Sequence, residues 1–366
     1  MIEGILDSCN KVGMNFSGLK NIKTLLEKQV HNKLHTGVQL HVSRKGKTVM
    51  NIALGETRPG IPMELNSILL MWSSGKPWTS VAIAQLWEKD KLDFNQKVRD
   101  FIPEFKNGKE SCSIRHLLTH TSGFPMLDYP KWLTASWNEI IHDACEMKAE
   151  YQPGTQCGYH PRISWMILGE IIQRIDGRKI EEYLREEIFM PLGMDSTYLG
   201  MTSKRAASLG KRLALKDSTY PSEQIHLWVN DFEGRIFPGS TGFSTAFDMG
   251  KFYRALWNGG EWERNRIINK RTVDYITEIH RKGVFDKTLL SSGSWGLGFG
   301  LGKYNCLFSS NKTYGHGGRS SCTNFCDPQL DLIVNFNSNT MLPTEQHFAR
   351  RKELMARIYE ACRYRF

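Results

Sequence analysis

Residues 67–80 read Ser-Ile-Leu-Leu-Met-Trp-Ser-Ser-Gly-Lys-Pro-Trp-Thr-Ser. The apolar run Ile68–Trp72 is strand-like and leads straight into Ser73. Thr79–Trp87 then has the spacing of a helix, with Val81, Ile83, Ala84 and Leu86 apolar. Pro77 supports a helix start here, because proline is tolerated in the first turn, where the N–H it lacks has no partner. Ser73 and Lys76 stand three residues apart, which puts a hydroxyl and an amine on one helix face. An amine that is neutral, or shares its proton, can help deprotonate the hydroxyl. A helix start also offers free N–H groups to a developing oxyanion.

The spacing alone is weak. Ser-x-x-Lys recurs at Ser8/Lys11, Ser17/Lys20, Ser208/Lys211 and Ser309/Lys312. Only Ser73 follows an apolar strand-like run and opens a helix. A serine there is also a good N-cap, so local context leaves nucleophile and cap both open.

Outward from this stretch, a polar helix spans Ser17–Asn32. Two strands follow, Thr36–Ser43 and Thr48–Leu54, joined by the turn Arg44-Lys45-Gly46-Lys47. From Ser73 to about Gly239 the pattern is mostly helical, clearest at Ile163–Ile175 and Ile180–Phe189. Beyond it comes a helix, Phe247–Trp257. Gly296–Leu301, Thr313–His316, Ser321–Cys326 and Leu330–Asn337 then read as strands, and Glu345–Cys362 as a closing helix. Strands at both ends and helices between them predict an α/β fold of the α+β type. In it, residues 1–72 and 240–366 build an antiparallel sheet flanked by helices. Residues 73–239 form an inserted, mostly helical domain, with the site in the cleft between.

Composition is that of an ordinary globular chain: 366 residues, 40% hydrophobic and 23% charged. The net charge of +10 is spread among acids, as in EEYLREE, so no nucleic-acid partner is expected. No run approaches a membrane span, and the N-terminus does not read as a secretory signal. The eight cysteines are widely spaced in a long chain, which predicts free thiols and a cytoplasmic location. His116/His120 and His31/His35 have zinc-like spacing without the glutamate that would follow, and Cys322/Cys326 lack a second pair. No metal or other cofactor is expected. No Gly-x-Ser-x-Gly elbow exists, which argues against an α/β-hydrolase.

Seven segments in order resemble the serine beta-lactamase-like family, the group of class C beta-lactamases, DD-peptidases, family VIII esterases and transesterases. They are GVQLHVSRKGKTVMNIALGE, SILLMWSSGKPWTS, LWEKDKLDFNQKVRDFIPEF with IRHLLTHTSGFP, YQPGTQCGYHPRISWMILGEIIQRIDG, IFMPLGMDST, STGFSTAFDMGKFYRALWNGG and YGHGG. The resemblance covers nearly the whole chain and selects Ser73 as nucleophile with Lys76 its partner. It implies that Tyr159 relays the serine's proton, with a lowered pKa. His316 would steady the intermediate or hold substrate, and Gly317 and Gly318 would let backbone approach the acyl group. The N–H groups of Ser73 and Arg319 would form the oxyanion hole. One departure stands out: Pro161 occupies the asparagine position of Tyr-x-Asn, leaving that role to His160 or another group. Histidine in place of lysine at His316 also removes a fixed cation. Both changes point away from antibiotic hydrolysis.

The expected function is therefore a serine hydrolase acting on a small-molecule ester or amide through an acyl-enzyme. An acyltransferase, transesterase or peptide cyclase would use the same intermediate, and a non-catalytic scaffold would keep only the fold. Trp132, Trp137, Trp228, Phe232 and Phe237 are candidates for an apolar pocket, or for ordinary core.

Overall fold

The computed structural model describes residues 3–125, 131, 134–215, 217–218, 234–319 and 321–362. Strands from the two ends of this span form one antiparallel sheet. The first end contributes β1 (Gly4–Ile5), β2 (Gly37–Arg44), β3 (Lys47–Arg58) and β4 (Ile61–Pro62). The second contributes β5 (Gly300–Leu301), β6 (Tyr314–Gly318), β7 (Cys322–Asp327) and β8 (Leu332–Ser338). The order is β1-β3-β2-β8-β7-β6-β5, with β4 pairing β3. The predicted hairpin forms between β2 and β3. Lys45 and Gly46 both take positive φ, 47° and 72°, as a two-residue turn matched to strand twist requires.

Five helices position this sheet and the site: α1 (Phe16–His31), α2 (Lys76–Glu88), α3 (Ile163–Asp176), α4 (Ala246–Trp257) and α5 (Thr344–Cys362). Asn15 caps α1 by accepting the Gly18 N–H at 3.0 Å. Leu19, Ile22 and Leu26 of α1 join Leu354 and Ile358 of α5 over Val38, Leu40, Val42, Val334 and Phe336. Strand alternation turns Gln39 and His41 to the opposite face, under α4. There Gln39 accepts the Ala246 N–H at 2.9 Å, and His41 packs on Phe247. Gly250 permits this approach, since a Cβ would sit 2.5 Å from the His41 ring. With both faces covered, β2 is buried almost throughout.

Helix α2 is buried from Lys76 to Leu86, so it is a central element and not an amphipathic surface helix. Two expectations change. Over 296–301 only Gly300–Leu301 is strand. Gly298 turns to φ +81° and packs where a Cβ would meet Ser80 Oγ at 2.6 Å. Over 180–189, the α-helix Ile180–Leu184 passes into a π-helical turn, Arg185–Phe189. Among the described residues no helix is long and apolar enough to cross a membrane.

Candidate active site

Ser73 sits in a sharp turn between strand and helix. The short strand Leu69–Leu70 pairs with Gly242–Ser244, and the Met71 N–H continues that pairing to Gly242 O at 2.7 Å. Trp72 then takes φ 51°, a left-handed conformation that a bulky side chain rarely adopts. A 3-10 turn, Trp72–Gly75, carries Ser73 into α2. The N-cap position of α2 belongs to Gly75, so Ser73 does not cap that helix. Ser74 ties the turn to β6 by donating to the His316 carbonyl at 2.9 Å.

Two side chains converge on Ser73 Oγ. Lys76 Nζ lies 3.0 Å away and the Tyr159 hydroxyl 2.7 Å away. Lys76 is fully buried, and Nζ also reaches Pro161 O at 2.9 Å and Gly239 O at 2.6 Å. Burial, with Arg162 adding to it, holds the amine well below the ordinary lysine range. A neutral amine has two N–H groups and one lone pair. With both carbonyls taking N–H groups, a neutral Lys76 would turn its lone pair toward Ser73.

At Pro161, where the asparagine of Tyr-x-Asn would stand, the main-chain carbonyl accepts from Lys76 at 2.9 Å. His160 does not supply that role. Its side chain is buried against Phe124, away from the Ser73 cavity, and its N–H donates to His120 Nδ1 at 3.2 Å. The expectation for Tyr159 also changes. Burial raises its phenol well above the ordinary value and outweighs the opposing pull of Arg162 and of the Ser73 hydrogen bond. Tyr159 therefore stays a protonated donor, and Lys76 is the group suited to accept a proton.

His316 lies on β6, buried, with its ring 6.0 Å from that of Tyr159. Its Nδ1 donates to Gly317 O at 2.7 Å, which leaves Nε2 as an acceptor. Burial pushes its pKa down to about 3. Gly318 packs where a Cβ would stand 2.3 Å from Met71 O, so β6 runs tightly past the Ser73 turn. Arg319 follows at the end of that strand, with its guanidinium over the Trp72 ring at 5.8 Å. Ser73, Tyr159, Pro161, His316, Gly317, Gly318 and Arg319 all line one cavity of about 740 Å³.

Sequence reasoning missed much of that cavity's wall. Helix α5 contributes Phe348, Arg351 and Met355, and the segment after β5 contributes Tyr304, Leu307 and Phe308. Of the aromatic pocket candidates, Trp137 and Phe237 line a different cavity, with Arg178 and Ile236, and Trp137 donates to Glu170 at 2.7 Å. Trp132, Trp228 and Phe232 lie outside the described residues. His116 closes a capping box with Ser113, and the His120 ring lies tilted against that of Tyr159, 4.5 Å between centroids.

The family model described as Beta-lactamase matches residues 22–357. The chain belongs to the beta-lactamase family. An N-acetylmuramyl-L-alanine amidase of Bacillus subtilis (strain 168) is 22% identical over 363 residues, spanning 88% of this chain and 80% of that protein. Other curated relatives are longer: the chain spans 65% of one from Salmonella typhi and 66% of one from Escherichia coli (strain K12). Among solved structures, a penicillin-binding protein homologue from Caulobacter crescentus superposes with a TM-score of 0.81 at 22% identity. That match covers 95% of this chain and 99% of the other. A family VIII carboxylesterase gives 0.82 at 20% identity, covering 94% and 99%. This beta-lactamase-family chain therefore shares the mixed fold of both, an antiparallel sheet with helices on its faces.

Proposed function

We propose that this member of the beta-lactamase family is a serine hydrolase that forms an acyl-enzyme on Ser73 with a small-molecule ester or amide. One observation carries the reading: Ser73 Oγ is shared between a buried amine at 3.0 Å and a protonated phenol at 2.7 Å, at the wall of a cavity.

The chemistry runs as follows. Lys76 Nζ takes the Ser73 proton as Oγ bonds to the substrate's carbonyl carbon. The oxyanion that forms faces the N–H groups of Ser73 and Arg319. The bond to the leaving group then breaks, and the departing oxygen or nitrogen takes its proton from Tyr159, which Lys76 reprotonates. Water, losing its proton to the same pair, attacks the acyl-enzyme and frees Ser73. An ester is favoured over a beta-lactam on two grounds. His316 is neutral, so the cation that grips a carboxylate is missing from that strand position although Arg319 and Arg351 line the same cavity, and the side chain at Pro161 has no group to hold a substrate amide. The likeness to a family VIII carboxylesterase supports the same choice. An alcohol or amine in place of water would make the enzyme an acyltransferase, which the apolar residues Leu307, Phe308, Phe348 and Met355 around the cavity would assist. Eight buried cysteines, none of them in a disulfide, support a reducing, cytoplasmic setting.

Intact-mass analysis after fluorophosphonate treatment tests this. The wild type is expected to gain one adduct and Ser73→Ala none. An unlabelled wild type, or equal labelling of both proteins, overturns the reading.

A further inference from the structure

The Tyr159 hydroxyl donates to Ser73, and its backbone is held by a buried carboxylate 127 residues away. Asp286 is fully buried. Its Oδ1 accepts three main-chain N–H groups, from Tyr159, Thr288 and Leu289, each at 3.0 Å. Its Oδ2 accepts from the Cys157 thiol at 3.2 Å and faces Arg281 Nη1 at 3.5 Å. Arg281 is fixed in turn by donating to Thr119 O at 2.9 Å and by the Trp295 ring at 5.2 Å. The two segments also pair directly, with the Lys287 N–H on Cys157 O at 3.1 Å. Leu289, one of the three donors' residues, lines the Ser73 cavity.

We infer that Asp286 is a positioning residue, a clamp that fixes Tyr159 relative to Ser73 and couples it to the cavity wall at Leu289. The physical case is that one carboxylate oxygen collects N–H groups from the Tyr159 segment and from the wall segment. Neither can shift without costing the buried carboxylate one of its donors. The 2.7 Å contact from the Tyr159 hydroxyl to Ser73 is thus set from its backbone end. This inference rests on the acyl-enzyme reading above.

The test is a double-mutant cycle between Asp286 and Tyr159, read as the hydrolysis of a p-nitrophenyl ester and as the rate of Ser73 labelling by a fluorophosphonate. Asp286→Glu keeps the charge beside Arg281 and displaces the accepting oxygen by about one C–C bond length. It carries the test if Asp286→Asn does not fold, as judged by circular dichroism. In the wild-type background the expected loss is about tenfold or more in kcat, with KM within about threefold. In a Tyr159→Phe background the same change is expected to cost less than about threefold. Equal losses in both backgrounds mean a merely structural role and overturn the clamp, as does the absence of any loss. A wild type that no fluorophosphonate labels sinks the acyl-enzyme reading instead, and so separates the two failures.

Discussion

Replacing Lys76 by methionine probes the protonation state on which the proposed chemistry depends. In the fold, Nζ is buried beside two carbonyls and Ser73, and burial with Arg162 holds its pKa well below the ordinary value. In the unfolded chain it returns to about 10.4. Between those two values the unfolded state binds one proton more than the folded state. Wild-type stability therefore rises with pH in that window, by about 1.4 kcal/mol per pH unit. Lys76→Met lacks this term, while every other group contributes almost equally to both proteins. The wild type should gain on the variant with rising pH as far as the unfolded lysine's value, by up to about 1.4 kcal/mol per unit. Methionine also leaves Pro161 O and Gly239 O without their donor, at a cost of about 1–3 kcal/mol each. That cost shifts the offset between the proteins and not the slope. Paired urea denaturation series at several pH values measure it. A pH-independent difference would mean that the folded lysine is charged, and Lys76 could not then be the base for Ser73.

Two further outcomes follow from the same site. Gly318→Ala puts a Cβ 2.3 Å from Met71 O, so β6 must back away from the Ser73 turn. The expected cost is about 1–3 kcal/mol of stability and about a hundredfold in kcat, and wild-type kinetics in this variant would refute the close approach. His316 is held near a pKa of about 3, so it is neutral from pH 5 to 8, and the activity profile should show no step near 6.5 that His316→Asn removes. Because the unfolded histidine protonates near 6.5, the burial of neutral His316 costs the fold stability as pH falls below that value, at up to about 1.4 kcal/mol per unit. His316→Asn should lessen that acid sensitivity in a melting series.

The elements with strong local signals were legible from the sequence alone. The β2–β3 hairpin is a local turn matter, because Lys45 and Gly46 accept the left-handed conformations that a tight hairpin needs. The buried helix after Ser73 and the closing helix show in apolar spacing, and the ordered segments assign the family that the whole-chain match then shows. Ser73, Lys76, Tyr159 and His316 were singled out together, and the fold brings all four to one place. What surrounds them was not legible. The lysine is held by the carbonyls of Pro161 and Gly239, 85 and 163 residues away, and Tyr159 by the carboxylate of Asp286, 127 residues away. Every residue carries a carbonyl and an N–H, so no letter of the sequence marks the ones that matter. Protonation behaved the same way. Composition names the ionisable groups, but only packing removes their water. Burial turned Lys76 toward a base and Tyr159 toward a donor, the reverse of what proximity to positive charge suggested for the phenol.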